Sequence, residues 1–270
     1  MTVLLTITDD QHAELYTARG GHNRGTIFYI HGGGFIYGDK NDLPAAYIDQ
    51  FTAADYNVLS IDYPLAPEVS LPTIIQSVQT AYDWFCANCL RLTGTSRIIL
   101  FGRSAGAYLA YQLLMAQDLP IQPKAFINFY GFFDIFSPKL VQPDAYYQQF
   151  ASVTLPAPQE KPQYTGSLTE RFPVYLTVRQ KGQWQGYIDA TPAMQRPVQF
   201  GALPPMYICH ALHDPDVPFG IAIQEKARHP RATLVSINAD QHDFDRMPTV
   251  ANHEVYDEVI GWLEGILGDK

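Results

Sequence analysis

The chain has 270 residues, of which 47% are hydrophobic, and its 27 acidic and 18 basic side chains give a formal net charge of −9. This acidic balance opposes binding to a nucleic-acid backbone or to an anionic membrane. The sequence has neither the run of about 18 apolar residues that a membrane span needs nor the pattern of an N-terminal signal peptide. We therefore expect a cytoplasmic protein with a small-molecule partner, and the sequence leaves open whether it forms a homodimer.

The first part of the chain alternates between strand-like and helix-like patterns. Two opening antiparallel strands are predicted over Val3–Thr8 and Ala13–Thr17, and a further strand over Thr26–Ile30. A helix over Ala45–Ala54 and a strand over Asn57–Ile61 follow.

The same alternation continues to the C-terminus. Apolar residues at helical spacing predict a helix over Pro72–Leu92, with Pro72 just inside its start, where a missing N–H costs nothing. The further predicted elements are strand Arg97–Phe101, helix Tyr108–Gln117, strands Lys124–Phe129 and Pro205–Cys209, helix Phe219–Arg228, strand Ala232–Ile237 and a helix over about 251–267. This order indicates one α/β domain over residues 1–270, with a mostly parallel central sheet and helices on both faces.

The predicted strand Arg97–Phe101 runs directly into Gly102–Gly106, which has the pattern G-x-S-x-G around Ser104. At a turn from strand to helix, this pattern is typical of a nucleophile elbow. The serine there has a strained backbone, and the glycines avoid clashes with the adjacent strand and helix. Alone, the pattern also fits a glycine-rich turn with an incidental serine.

A second glycine-rich motif, His31–Gly34, follows the predicted strand Thr26–Ile30. Acyl transfer needs backbone N–H groups aimed at a developing oxyanion, and glycine allows a substrate carbonyl to approach them. A phosphate-binding loop is the alternative, but the chain lacks the glycine spacing of a dinucleotide-binding loop here and has no G-x-x-x-x-G-K-[ST] motif. The two motifs together favour a serine hydrolase.

Three stretches carry a family resemblance: His31–Phe35, Asp62–Glu68 (DYPLAPE) and Gly102–Gly106. On these motifs the chain resembles the α/β-hydrolases of the hormone-sensitive-lipase-like esterase group. The resemblance covers most of the chain and is weakest between about 137 and 200. It implies an α/β-hydrolase fold.

The resemblance also implies roles for single residues. Ser104 would be the nucleophile, and His31 would support the glycine loop without acting as a base. The oxyanion hole would be formed by the N–H groups of Gly33, Gly34 and Ala105.

The chain departs from the family pattern at a few positions. Pro64 stands where an arginine is usual, and Arg103 and Ala107 stand where aspartate and glycine are common. These departures leave the subgroup and the substrate open, but not the nucleophile.

An acid and a histidine follow the nucleophile in this order in the α/β-hydrolase fold. Asp214 follows a predicted strand in the D-x-x-V-P setting that family members use for their acid, and Asp216 is the alternative. His242 follows the next strand and matches the position of the family's catalytic histidine. The sequence thus predicts a triad of Ser104, Asp214 and His242, with no metal or organic cofactor.

Two clusters of possible metal ligands are not expected to bind a metal ion. His210 and His213 lie near Asp214, but residues three apart on a strand end point to opposite faces, so a zinc site is disfavoured. A second acidic cluster lacks the glycine and the terminal glutamate of a calcium loop. Its members are expected to be solvated or to cap a loop: Asp240, Asp243 and Asp245.

The remaining histidines and a cysteine pair are also expected to be non-catalytic. The histidines without a partner pattern are predicted to lie on the solvated surface: His12, His22, His229 and His253. Cys86 and Cys89 form a C-x-x-C motif late in a predicted helix, whereas redox motifs use a helix N-terminus to lower the thiol pKa. We interpret the pair as structural thiols.

Residues 137–205 are rich in proline, glutamine and aromatic side chains. In the implied fold, an insertion before the acid strand lies above the nucleophile, so a lid is predicted over about 137–200. A disordered linker is the alternative, which the aromatic content opposes. Only about 25 residues precede the first core strand, so we expect this lid to provide most of the substrate enclosure.

Motifs and resemblance together predict a serine carboxylesterase that hydrolyses small short-chain acyl esters through an acyl-enzyme. An amide hydrolase, such as a peptidase or an arylformamidase, uses the same triad and stays open as the alternative. A non-catalytic ligand-binding protein on this scaffold, as in the gibberellin receptors, is disfavoured because all three triad members can be assigned.

Overall fold

The computed structural model describes residues 2–268, and Met1, Asp269 and Lys270 of the predicted domain lie outside the described residues. The strands are β1 (Thr2–Thr6), β2 (His12–Tyr16), β3 (Gly25–Ile30), β4 (Tyr56–Ile61), β5 (Ile98–Arg103), β6 (Ala125–Phe129), β7 (Met206–Ala211) and β8 (Ala232–Ile237). They form one sheet in the order β1-β2-β4-β3-β5-β6-β7-β8. Strand β2 is antiparallel to β1 and β4, and the other neighbours are parallel.

The α-helices are α1 (Ala45–Ala53), α2 (Leu71–Thr93), α3 (Ala105–Leu114), α4 (Pro138–Val141), α5 (Leu168–Gln180), α6 (Trp184–Tyr187), α7 (Gly220–Arg228) and α8 (Val250–Leu267). Short 3₁₀ turns lie at Tyr147–Gln149, Pro192–Met194 and Phe200–Ala202. Helix α2 has a proline in its first turn and ends at Gly94 in the left-handed conformation, which favours glycine at a helix end. Among residues 2–268, no helix combines the length and the apolar character needed to cross a membrane.

The central strands are buried on both faces, as expected of parallel strands between two layers of helices. Side chains alternate between two cores along β3. Phe28 and Ile30 pack into the core that contains α2 and α3. Ile27 and Tyr29 pack on the other face, with side chains of α1 and α8. The sequence prediction of a mostly parallel sheet with helices on both faces is confirmed.

The predicted strands and helices are present, with ends shifted by a few residues. The largest shift is in α3, which begins at Ala105 and ends at Leu114, whereas the sequence predicted Tyr108–Gln117. Its first turn contains only small residues, which provide no apolar stripe to a periodicity analysis. The same small residues allow the helix to begin directly after the strand.

The segment between β6 and β7 folds into the helices α4, α5 and α6 joined by turns. Ser167 caps the N-terminus of helix α5, where its hydroxyl accepts a hydrogen bond from the Glu170 N–H. Side chains from this segment reach the glycine loop: a Cβ on Gly34 would clash with the ring of Tyr175, and Trp184 Nε1 donates to Gly34 O at 3.0 Å. The segment therefore lies against one of the two predicted site loops.

Candidate active site

Ser104 lies at the turn between β5 and α3, with a φ of 52° and a ψ of −120°. Non-glycine residues rarely adopt this conformation, so the backbone is strained here. The flanking glycines make the turn possible. A Cβ on Gly102 would lie 2.5 Å from Ala107 N, and a Cβ on Gly106 would clash with Ile30 O. This is the strand–turn–helix geometry that the G-x-S-x-G pattern predicts.

The loop after β8 brings His242 to this turn. His242 Nε2 lies 2.8 Å from Ser104 Oγ, and His242 Nδ1 lies 2.7 Å from Asp214 Oδ2. The structure therefore brings together the three residues that the sequence predicted. Asp216, the alternative acid, is nearer to the other ring nitrogen, and its Oδ2 lies 3.9 Å from His242 Nε2. An Nδ1–H donated to Asp214 leaves Nε2 as the acceptor for the serine proton.

Backbone groups hold the Asp214 carboxylate in place. Its Oδ1 accepts hydrogen bonds from the N–H groups of Asp216 and Val217, each at 2.9 Å. His210, buried at the end of β7, places Nε2 at 3.1 Å from Asp214 Oδ2 and 2.8 Å from Val217 O. Burial alone would raise the pKa of Asp214, but His242 and His210 hold it well below its usual range. Asp214 is therefore ionised and oriented.

The same contacts act on the histidine with the opposite sign. Burial alone would lower the pKa of His242, but Asp214, with smaller contributions from Asp216 and Asp243, raises it to about 9. The site thus stabilises an imidazolium, which is the state that forms when a histidine takes a proton from a serine hydroxyl.

The glycine loop supplies backbone donors beside Ser104. Gly33 and Gly34 have φ values of 90° and 58°, which favour glycine. In the described part of the chain, their N–H groups donate no hydrogen bond. The Ala105 N–H, in the first turn of α3, has no partner within the helix. The loop and the helix therefore offer unpaired N–H donors at the predicted oxyanion hole, and Gly33 lines the same cleft as Ser104.

Buried aromatic side chains support this loop. Tyr63 OH donates to both His31 O and Gly32 O at 2.9 Å. The His31 ring stacks on Tyr63 with 4.0 Å between the ring centroids, and burial lowers the pKa of His31. A neutral, stacked His31 suits the supporting role that the resemblance implies.

Ser104 opens into a cleft of about 280 Å³. The walls include the carboxylates of Asp39, Asp42 and Asp243, and the guanidinium of Arg246, which pairs with Asp243. The volume is just below the range of about 300–1,000 Å³ that is usual for small-molecule pockets.

A buried ion pair lies behind the cleft and joins the end of β5 to the histidine loop. Arg103 Nη2 lies 2.7 Å from Asp245 Oδ1. Asp245 also accepts hydrogen bonds from Tyr130 OH and Tyr256 OH, both at 2.6 Å. The Tyr130 ring contacts His242 edge-on, with 4.9 Å between the centroids. This network was not predicted from the sequence, in which the departure from the family pattern at Arg103 is its one signal.

The prediction that Asp245 is solvated or caps a loop is wrong. Its side chain is fully buried, because Arg103 and two tyrosine hydroxyls satisfy its charge. Asp240 is exposed, and Asp243 is partly exposed and pairs with Arg246.

The surface prediction is right for His22, which is exposed, wrong for His229, and only partly right for His12 and His253, which are partly buried. His229 is 1% exposed, and its Nε2 lies 2.8 Å from Pro204 O, which gives the buried ring a partner. His253 is partly buried against Tyr47. His12 is partly buried, and His22 is exposed.

The remaining metal and thiol candidates lie as follows. Over residues 2–268, no group of three or more histidine, cysteine, aspartate and glutamate side chains could hold a metal ion. His210 is buried and His213 is exposed, so the two face different surroundings. Burial raises the pKa of Cys86 to about 12, which opposes activation of that thiol, and Cys89 is buried.

Comparisons with known proteins agree with this architecture. The sequence profile of the α/β hydrolase fold family matches residues 27–246. The structure of a protein of unknown function from Staphylococcus aureus subsp. aureus Mu50 has a TM-score of 0.85 and 30% identity, covering 99% of both chains. An α/β hydrolase superfamily protein from Enterococcus faecalis has a TM-score of 0.83 at 23% identity, covering 98% of this chain and 99% of that one. The latter likeness shows the fold alone.

Curated relatives match shorter stretches. Lipase 2 of Moraxella sp. (strain TA144) is 31% identical over 116 residues, which is 43% of this chain and 26% of the relative. Arylacetamide deacetylase of Bos taurus is 36% identical over 107 residues, 36% of this chain and 27% of the relative. Hormone-sensitive lipase of Bos taurus is 34% identical over 90 residues, 33% of this chain and 12% of the relative. The chain spans less than a third of the length of these three relatives. With these matches and the profile over residues 27–246, the chain belongs to the α/β hydrolase fold family and resembles its hormone-sensitive-lipase-like members.

Proposed function

We propose that this chain is a serine carboxylesterase that hydrolyses small short-chain acyl esters through an acyl-enzyme. The observation that carries the proposal is the hydrogen-bonded line from Ser104 through His242 to Asp214, which begins at a strained elbow. The relatives include a lipase and a deacetylase, which supports acyl-bond hydrolysis as the general class.

In the proposed first half-reaction, Ser104 Oγ attacks the ester carbonyl while His242 Nε2 takes its proton. Asp214 holds the ring with Nδ1–H toward itself and stabilises the imidazolium. The N–H groups of Gly33, Gly34 and Ala105 bind the oxyanion. His242 then protonates the departing alcohol oxygen, and the acyl group stays on Ser104.

In the second half-reaction, water attacks the acyl carbon and gives its proton to His242. The bond between the acyl carbon and Ser104 Oγ breaks, and Ser104 Oγ takes the proton back. The acid leaves and the enzyme returns to its starting state. Each step uses only side-chain and backbone groups of this chain and water.

The nucleophile assignment is tested by covalent labelling. An organophosphonate probe followed by peptide mass mapping should label Ser104 alone. Ser104→Ala should reduce hydrolysis of p-nitrophenyl acetate by about 10⁴ or more. Ser236→Ala is a matched control, because Ser236 is exposed on β8, away from the elbow. Labelling of another serine, or retained activity in Ser104→Ala, would refute the proposal.

The preference for small acyl groups rests on the cleft and on the segment 137–200, which we propose acts as a cover of the site. The cleft at Ser104 measures about 280 Å³, and Tyr175 and Trp184 from this segment pack on Gly34. A p-nitrophenyl ester series of increasing acyl length should therefore give the highest kcat/KM between acetyl and about hexanoyl. A preference for decanoyl or longer esters, or a rate increase when the substrate forms an emulsion, would contradict this.

Amide hydrolysis is the second candidate, since a relative named arylacetamide deacetylase matches this chain. The two reactions use the same triad and differ in the leaving group. Comparing p-nitrophenyl acetate with p-nitroacetanilide keeps the acyl and aryl groups constant. A larger kcat/KM for the acetanilide would assign the chain to amide hydrolysis.

A further inference from the structure

A second cleft also opens onto the candidate histidine. It measures about 240 Å³ and is lined by His242 and Asp216 but, over the part of the chain that is described, not by Ser104. Tyr37 and Leu168 line both clefts, so the two are neighbours. An acyl group on Ser104 can therefore occupy the first cleft while His242 stays reachable from the second.

The carboxylate in the second cleft faces the reacting nitrogen of the histidine. Asp216 Oδ2 lies 3.9 Å from His242 Nε2, and Asp216 is only 3% exposed. This distance is too long for a direct hydrogen bond. It is a distance that a single water molecule, hydrogen-bonded to both atoms, can bridge.

Helix α5 holds this carboxylate in position. Tyr175 OH donates to Asp216 Oδ2 at 2.7 Å, and Arg179 Nη2 lies 3.1 Å from Asp216 Oδ1. Arg179 is itself buried and also pairs with Asp144. Each carboxylate oxygen accepts about two hydrogen bonds, and within residues 2–268 Oδ2 accepts one, from Tyr175. Oδ2 therefore keeps one acceptor position for a further donor.

We propose that Asp216 is a positioning residue for deacylation, which holds, together with His242 Nε2, the water that attacks the acyl-enzyme. The inference rests on the proposed function, because it concerns the second half of that reaction. One O–H of the water donates to Asp216 Oδ2 and the other to His242 Nε2. This arrangement directs an oxygen lone pair away from both acceptors, toward the acyl carbon.

The chemical step balances without any further reactant. The water oxygen bonds to the acyl carbon, its proton moves to His242 Nε2, and the bond from that carbon to Ser104 Oγ breaks. Ser104 Oγ then takes the proton from His242. Asp216 keeps its charge throughout, since it accepts a hydrogen bond and no proton.

The test separates acylation from deacylation in Asp216→Asn. Arg179 favours the amide oxygen of the new side chain at the Oδ1 position, so an NH₂ donor replaces the Oδ2 acceptor. Stopped-flow release of p-nitrophenolate from p-nitrophenyl butyrate gives the acylation rate constant. Intact-mass decay of isolated acyl-enzyme gives the deacylation rate constant. We expect deacylation to slow by about tenfold, the loss for one charge-assisted hydrogen bond in a transition state, with acylation unchanged.

Two further variants distinguish positioning of water from general support. Asp144→Asn removes the other partner of Arg179 and does not line the second cleft, so both rate constants should match wild type. Tyr175→Phe keeps the ring on Gly34 but frees Asp216 Oδ2, so deacylation should slow selectively and by less than in Asp216→Asn. This second variant carries the test if Asp216→Asn does not fold, as judged by its melting temperature.

The outcomes are distinct. A selective fall in deacylation in Asp216→Asn and Tyr175→Phe, absent in Asp144→Asn, supports the proposal. An equal fall in both rate constants, or the same selective fall in Asp144→Asn, overturns it. If Ser104→Ala retains ester hydrolysis, or the organophosphonate probe labels another serine, the proposed function fails, and that result is separate from any effect at Asp216.

Discussion

The strongest quantitative expectation concerns the pH at which His242 becomes a base. Burial favours the neutral ring, but Asp214 at 2.7 Å and the neighbouring carboxylates raise the pKa of His242 to about 9. The proposed reaction needs neutral His242, so kcat/KM should increase with pH and level off above about 9. At pH 7 only about one molecule in a hundred would carry the neutral ring, and activity there should be about a hundredfold below the plateau.

Asp214→Asn tests the physical cause of this pH dependence. Without the Asp214 charge, burial of the ring should bring the pKa of His242 down toward its ordinary value of 6.5. The plateau of kcat/KM should fall by about 10⁴, because the asparagine orients the ring in the wrong tautomer. Near pH 6 wild-type His242 is almost fully protonated, whereas about a quarter of the variant's rings are neutral, so kcat/KM of the variant should be only about 40-fold below wild type there.

The assay is kcat/KM for p-nitrophenyl acetate between about pH 5 and pH 10 at constant ionic strength, read at the isosbestic wavelength of nitrophenol and nitrophenolate. An NMR titration of the His242 ring in the inhibitor-free protein gives the pKa independently. Asp240→Asn is the matched control, since Asp240 is an exposed carboxylate two positions from His242. The reasoning would be refuted if kcat/KM of the wild type rose with a midpoint near pH 6.5, or if Asp214→Asn left the midpoint of that rise unchanged.

Three further predictions concern the loop, the thiols and the buried ion pair. Gly34→Ala should reduce kcat for ester hydrolysis by about 10² to 10³, because the new Cβ would clash with the Tyr175 ring that packs on the glycine loop. Gly186→Ala is the control and should leave kcat unchanged in the same assay, because its Cβ meets open space. The double variant Cys86→Ser/Cys89→Ser should keep its kcat/KM, and a loss of activity at an unchanged melting temperature would contradict the structural interpretation of these thiols. Asp245→Asn should lower the free energy of unfolding by about 3 kcal/mol, because it leaves the buried Arg103 without its main charged partner. Urea titrations measure this loss, and a loss below about 1 kcal/mol would show that the Arg103–Asp245 pair contributes little to stability.

The fold and the meeting of Ser104, His242 and Asp214 were predictable because each depends on local patterns. The apolar pattern predicts the strands, and the glycines around Ser104 predict the tight turn that follows one of them. The histidine and the acid follow their strands in a known chain order. The position of the Asp216 carboxylate near His242 Nε2 was not predictable from the sequence. Asp216 appeared there only as an alternative triad acid, since its partners Tyr175 and Arg179 come from an insertion whose packing has no sequence signature.

The error at Asp245 has a related cause. An aspartate with no evident basic partner in a polar loop is expected to be solvated, because burying an unpaired charge costs several kcal/mol. That expectation changes once a partner is known, but Arg103 lies 142 positions away in sequence, and only the fold brings the two together. The arginine directly before the serine, which departs from the family's usual aspartate, and the aspartate three residues after the histidine are thus two halves of one feature. Since the pair joins the segment that carries Ser104 to the loop that carries His242, we expect neither half to tolerate replacement while the other remains.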